Sequence, residues 1–207
     1  MQRQLKKRRK LPYRFVRPRL ECLEDRALPS TVNWINPAGG NFDTASNWQD
    51  AVTGANRVPG PTDDAVISFD SIAVTHPNSV SDSVHSVTSQ ATLTVSNGSL
   101  LFAADTSTKG LSLTGGTVTV TGSANLEAQT LTQTGGTLTG PGTVTVDGLW
   151  TWTGGTMSGA GHTVNNGTAT LGSSPFGPSL NARGGGQRGD GYPLRHRHQL
   201  REPGHLE

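Results

Sequence analysis

The run Thr-Gly-Gly-Thr occurs at residues 114–117, 134–137 and 153–156, at offsets of 20 and 19. Each copy follows a short run in which apolar residues alternate with Thr, and each precedes another such run. A glycine turn recurring at this interval between short strands predicts a solenoid, in which one coil stacks on the next. The expected fold class is all-β, a parallel β-solenoid over residues 65–174 with coils of about 18 to 20 residues. Gly116, Gly136 and Gly155 are then expected to lie in register, about 4.7–4.9 Å from coil to coil. An up-and-down sandwich also has many short strands at regular spacing, but it gives no reason for the turn motif itself to recur.

The strand candidates follow the same logic. They include Ile72–Thr75, Val84–Val87, Thr92–Ser96, Ser99–Phe102, Leu111–Leu113, Thr117–Thr121, Thr130–Thr132, Thr143–Val146, Trp150–Trp152 and Thr163–Asn165. Val118 and Val120 should face a core while Thr117, Thr119 and Thr121 face solvent, and Val144 and Val146 should do the same against Thr143 and Thr145. Thr suits these positions because its branched Cβ favours extended backbone. The tract 111–171 holds 17 Thr and 13 Gly with no Lys or Arg. Such low charge also fits disorder, but the apolar residues alternate rather than scatter, which favours a folded array.

Net charge is +2, yet it is unevenly spread. Residues 1–30 carry ten Lys/Arg against three acids, residues 31–174 carry Arg57 and Lys109 against nine acids, and residues 175–207 carry five Arg against three acids. The body is therefore acidic, which excludes nucleic acid as its partner, because phosphate binding needs clustered cations. Cys22 is the single cysteine. No internal disulfide is available, and Cys22 reads as a spectator thiol. No stretch approaches the roughly 18 to 20 apolar residues of a membrane span. The start Met1–Lys10 is basic, but Leu11–Leu20 is interrupted by Pro12, Arg14, Arg17, Pro18 and Arg19, so an ordinary secretory signal is not formed.

Residues 1–30 therefore read as a basic, unstructured leader. Residues 31–64 do not repeat and concentrate Trp34, Phe42 and Trp48, so they are expected to cap the first coil, whose strand edge and apolar end would otherwise be open. Beyond Gly172 the alternation stops and Thr disappears. Residues 175–207 read as a disordered tail or as translation in a shifted frame.

Two stretches carry resemblances. In Pro18–Ser30 the residues Leu20, Glu21, Leu23, Glu24, Asp25, Arg26 and Pro29 resemble the Leu-Glu-x-Leu-Glu-Asp-Arg leader of planctomycete extracellular proteins. That resemblance implies an exported or envelope-associated protein. Trp34, Gly40, Asn41, Phe42, Asn47, Trp48, Pro59, Gly60, Asp63, Asp64 and Ile67 resemble the opening module of bacterial surface proteins with autotransporter-type β-strand repeats. That family implies a right-handed parallel β-helix, a scaffold or adhesin-like role, surface polysaccharide or other envelope proteins as partners, and a chain longer than this one, of which these residues would be an N-terminal fragment.

Chemistry-bearing residues are sparse. Asp63 and Asp64 are adjacent, so in a strand they point to opposite faces and cannot form one acid/base pair; after Pro59-Gly60 they read as turn residues. No Asp-x-Asp-x-Asp-Gly calcium loop occurs. A carbohydrate-active β-helix enzyme, polysaccharide lyase or glycosidase, is the competing class, and it needs acids gathered on one face. Asp105, Lys109, Glu127 and Asp147 read as too dispersed for that. His162, His196, His198 and His205 lack an ordered scaffold or an acid partner to make a metal site. Arg188-Gly189-Asp190 spells an adhesion tripeptide that a Gly/Arg-rich stretch produces by chance, and Asn97-Gly98-Ser99 and Asn166-Gly167-Thr168 read as turns rather than glycan acceptors. The Thr-x-Thr runs resemble the face of β-helical ice-binding proteins. The drift in coil length means that these Thr need not line up, which favours Thr as an ordinary outward strand residue. No catalytic, cofactor or metal residue is assigned, and a non-enzymatic, extracellular or envelope β-solenoid is the expectation.

Overall fold

The computed structural model describes residues 28–122 and 124–172, together with the strand backbone of residues 179–181 and 184–187. In chain order the strands are β1 (Ser30–Trp34), β2 (Gly40–Asn41), β3 (Trp48–Asp50), β4 (Asp63–Ile67), β5 (Ala73–His76), β6 (Ser81–Val84), β7 (Ser86–Val95), β8 (Ser99–Phe102) and β9 (Thr106–Leu113). They continue as β10 (Thr117–Val120), β11 (Asn125–Gln133), β12 (Thr137–Thr139), β13 (Thr143–Trp152), β14 (Thr156–Ser158), β15 (His162–Asn165), β16 (Thr168–Leu171), β17 (Ser179–Asn181) and β18 (Gly184–Gln187). One 3-10 turn, Ala45–Asn47, interrupts them, and no α-helix occurs among the described residues.

The strands form a parallel β-solenoid. One sheet runs β4-β7-β9-β11-β13-β15-β18, and a second runs β6-β8-β10-β12-β14-β17. Within both runs every neighbouring pair is parallel. Ser99 lies beside Thr117, Thr117 beside Thr137 and Thr137 beside Thr156, so successive coils take 18, 20 and 19 residues. The long strands are kinked midway, at register shifts between Ser89 and Thr92 and between Ala128 and Thr130. The same rung is split into β4 and β5 at one end of the array and into β15 and β16 at the other. Each coil thus offers three strand segments around the core.

The Thr-Gly-Gly-Thr copies form a stacked corner. Gly98, Gly116, Gly136 and Gly155 all have positive φ, from 63 to 79°, and the backbone carbonyls of Gly116 and Gly136 accept bonds from Thr137 and Thr156 of the next coil, both at 2.9 Å. The drift in coil length is absorbed elsewhere. From the last inward residue of a long strand to the first of the short one is always four steps, as in Val95–Ser99, Leu113–Thr117, Gln133–Thr137 and Trp152–Thr156.

Stacking turns the inward positions into columns. Val74, Leu93, Leu111, Leu131, Trp150 and Ala169 form one, and Leu100, Val118, Leu138 and Met157 form another. Val118, Val120, Val144 and Val146 are fully buried and their Thr neighbours half-exposed, as the alternation predicts. The rule fails at Thr106, Thr108 and Ser89, which point inward. Their hydroxyls are satisfied by backbone: Thr108 donates to the carbonyls of Gly110 (2.9 Å) and Ala91 (3.2 Å), and Thr106 accepts from the Val87 amide (3.1 Å).

Val84–Val87, expected as one strand, is a corner. Both valines are buried and three residues apart, which a straight strand would place on opposite faces, so the chain turns between them and changes sheets. Thr143–Val146 and Trp150–Trp152, expected as two strands, are one continuous β13. Within 175–207, expected as a disordered or frame-shifted tail, the described strand backbone of β17 pairs with β14 and that of β18 with β15. The open edge of the last coil templates pairing through backbone groups alone, so loss of the side-chain pattern does not prevent it. The remainder of 173–207, and residues 1–27, lie outside the described residues.

At the N-terminal end β1 continues the sheet parallel to β4, while β3 folds back antiparallel on β1, with Trp34 opposite Trp48. Trp34, Phe42 and Trp48 are buried together. The Trp48 ring meets those of Trp34 and Phe42 edge-on at 4.9 and 5.1 Å, and its indole N–H donates to the Phe42 carbonyl at 2.7 Å.

Candidate functional site

Asp63 and Asp64 point to opposite faces, as adjacent strand residues must. Asp63 is buried against Arg57, whose guanidinium also bonds Asp50 at 2.7 Å, and it accepts further bonds from the Ser30 hydroxyl and the Gly60 amide. This network ties β1, β3 and β4 together. The hydrogen bond from Arg57 is the main reason the Asp63 carboxyl titrates at about 2, against an ordinary value of about 3.9. Backbone amides, chiefly that of Thr53, and then Arg57 also hold Asp50 far below the carboxylate range. Because the folded-state value of Asp63 is depressed, its contribution to stability is present above about pH 4 and is lost as pH falls toward 2. Carbon-13 titration of the carboxyls is expected to show Asp63 ionising near pH 2, and Arg57→Gln should return it to the ordinary range or above. A wild-type Asp63 titrating near 4 would contradict this network.

Asp64 stays half-exposed. Its carboxylate accepts from the Ser86 hydroxyl at 2.6 Å and lies 2.7 Å from His85 Nδ1. Asp105 accepts from the Asn125 amide and Asp147 from the Asn166 side-chain amide, each at 2.8 Å. Asp64, Asp105 and Asp147 thus each bond the following coil. The acids of the array are nonetheless closer in space than in sequence. A depression of about 450 Å³ lies between Asp64, His85 and Asp105, and the neighbouring one, about 210 Å³, is lined by Asp105 and Glu127. Stacking places residues about 20 apart side by side, which their sequence separation conceals. Lys109 borders a further hollow with Ser107 and Gln129.

The outward threonines line up after all. Thr117, Thr137 and Thr156 are register partners, as are Thr119 and Thr139, and Ser158 donates to Thr139 across the coils at 3.0 Å. On the other sheet Thr94, Ser112, Thr132, Thr151 and Thr170 form a second row. They align because the length drift is taken up at corners and strand kinks. Asn97-Gly98 and Asn166-Gly167 are bends between strands, and Ser99 and Thr168 open β8 and β16.

The most concentrated chemistry lies where the N-terminal segment meets the first full coil, and sequence analysis missed it. His76, at the end of β5, is fully buried. Its Nε2 is 2.9 Å from Asp82 Oδ2 and 3.5 Å from Asp43 Oδ1, and its Nδ1 is 3.0 Å from the Asn97 carbonyl. The second Asp43 oxygen accepts from Asn78 Nδ2 at 2.7 Å, whereas Oδ1 is buried without a hydrogen-bond partner. Burial pushes the Asp43 carboxyl above its ordinary range, against the opposing pull of His76. The three residues have no motif spacing. Their proximity arises because Phe42 bonds β5 through the Thr75 carbonyl, which sets Asp43 over the corner between β5 and β6. Of the expected histidines, His162 opens β15 on the exposed side, while His196, His198 and His205, like Cys22 and Arg188-Gly189-Asp190, lie outside the described residues.

Against protein-family models, curated proteins and solved structures, the chain finds no match in any of the three. No described helix is long and apolar enough to cross a membrane.

Proposed function

We propose that this chain is a non-enzymatic, adhesin-like scaffold of the cell surface or extracellular space, presenting solenoid faces to surface polysaccharide or other envelope proteins. The observation that carries this reading is the use of Asp64, Asp105 and Asp147 as coil-to-coil ties. A carboxylate held by the next coil's donors is a structural part, and general acid/base work needs one free to exchange a proton with substrate. The aligned Thr rows supply what a scaffold face needs: hydroxyls at the regular rung spacing of about 4.8 Å, able to meet an extended polar polymer along its length. The leader resemblance in Pro18–Ser30 supports export.

One observation favours a carbohydrate-active enzyme instead, namely the depression that Asp105 and Glu127 share. Incubation with a panel of polysaccharides separates the two. The scaffold reading expects binding without cleavage. Chain scission abolished by Asp105→Ala or Glu127→Ala would replace it with the enzymatic one. Fractionation of the native cells should find the protein in the envelope or medium, and a cytosolic location would contradict export.

A further inference from the structure

We propose that Asp43, His76 and Asp82 bind one divalent first-row transition-metal cation of the zinc(II) type, which clamps the N-terminal cap to the first full coil.

The columns of the core raise the question. His76 is the register partner of Val95, and Val95 of Leu113; Asp82 is the partner of Leu100, and Leu100 of Val118. Two inward columns that are apolar in the next two coils therefore carry an imidazole and a carboxylate in the coil that faces the N-terminal segment. Filling space alone would continue the apolar residues, since burying polar groups is unfavourable unless they are fully partnered.

The tautomer of His76 sharpens the point. A carbonyl only accepts, so Nδ1, 3.0 Å from the Asn97 oxygen, carries a proton. Nε2 then faces two carboxylates, at 2.9 and 3.5 Å. A bare lone pair there would be repelled, so a positive species belongs between them. A second proton on the ring would hydrogen-bond Asp82 and leave Asp43 Oδ1 at 3.5 Å, in ion-pair range but still buried without a hydrogen bond. A cation satisfies both carboxylates. A ring N–H given to a backbone carbonyl is also the usual outer support of a metal-bound imidazole. Here Asn78, bonded to the far oxygen of Asp43, gives that carboxylate the same kind of support.

The dimensions fit a small ion. The three donor atoms lie within 4.8 Å of one another. Bonds of about 2.0–2.1 Å place donors about 3.3 Å apart around a tetrahedral ion and about 2.9 Å apart around an octahedral one. The two distances from Nε2 span those values. A nitrogen donor with two carboxylates suits zinc-type ions, while calcium and magnesium prefer all-oxygen sets. Asp82 is one-fifth exposed, so water has access to complete the coordination.

The test is a zinc(II) titration of the full chain after chelator treatment, read by nitrogen-15 NMR of the histidine rings and by thermal unfolding. One equivalent should convert His76 to the form with Nδ1 protonated and Nε2 metal-bound, and should raise the melting temperature, while calcium at equal concentration does neither. Asp43→Asn, a mild change at a partly accessible residue, should weaken zinc binding at His76 by at least about tenfold. Asp82→Asn should do the same, and if it fails to fold, Asp43→Asn decides. Zinc that perturbs only the rings of His196, His198 and His205 would overturn the site, as would a His76 Nε2 still protonated at saturating zinc or equal affinity in Asp43→Asn.

Discussion

Trp48→Ala is expected to lower the unfolding free energy by about 3–5 kcal/mol, the usual cost of truncating a buried aromatic ring to Ala. Trp48 is fully buried, packs edge-on against Trp34 and Phe42, and anchors its indole N–H on the Phe42 carbonyl. Removing it leaves that carbonyl short of a donor and opens a cavity between three segments. It should also act on association. β3 covers the outer edge of β1 by antiparallel pairing, in register Trp34 to Trp48. Loosening β3 bares an unpaired strand edge, the feature that invites a second chain. Trp150→Ala supplies the comparison. Trp150 is nearly as buried and stacks on Trp152, but it lies inside the array, between Leu131 and Ala169. Its loss should destabilise without promoting self-association. Denaturant unfolding and sedimentation velocity on both variants check this, and a Trp48→Ala protein that stayed monomeric with an unchanged transition would show that β3 does not close the array.

Gly136→Ala should be nearly as damaging although it adds a single methyl group. Gly136 has φ of 63°, where a side chain costs about 1–2 kcal/mol. Its Cβ would also stand 2.5 Å from the Gly115 carbonyl oxygen of the preceding coil, and backbone there has nowhere to go. Overpacking of that kind typically adds about 1–3 kcal/mol. The combined loss is about 2–5 kcal/mol. Gly54 separates the two contributions. Its φ is 70°, but nothing lies within 4 Å of the position a Cβ would take, so Gly54→Ala should show the conformational part alone. Urea midpoints of the two variants test this directly. Equal losses would mean that the coils are not stacked closely at the Gly-Gly corner.

That corner is the part of the fold most legible in the sequence, because its requirement is local and recurs. Two adjacent residues must lie against the backbone of the coil below, and only glycine satisfies both, so the motif reappears wherever the geometry does. The strand interiors were legible for a related reason: Val118 and Val120 against Thr117 and Thr119 state their faces by alternation. Inward Thr106 and Thr108 were not, since what makes them tolerable is a set of backbone acceptors in neighbouring residues and coils. The alignment of Thr117, Thr137 and Thr156 was hidden by uneven coil lengths, and it shows once the slack is seen to lie at other corners. The cluster of Asp43, His76 and Asp82 was the least legible. Its members come from the cap, one strand end and the next strand, and only the stacking of β2 on β5 brings them together. A sign was nonetheless present, a histidine and an aspartate standing at two inward positions whose partners one coil later are Val95 and Leu100.

Parallel stacking is the claim on which the rest depends, and backbone NOEs over residues 99–158 test it most directly. Parallel coils keep facing strands evenly about 4.8 Å apart, so cross-peaks should link Leu100 to Val118, Val118 to Leu138 and Leu138 to Met157, following the observed register. Antiparallel pairing would instead alternate close and wide spacings of facing residues, about 4.5 and 5.5 Å, between strands joined by the Gly-Gly turns. Strong cross-peaks between Leu113 and Thr117 through Thr119 and Leu111, in that reversed order, would contradict the solenoid.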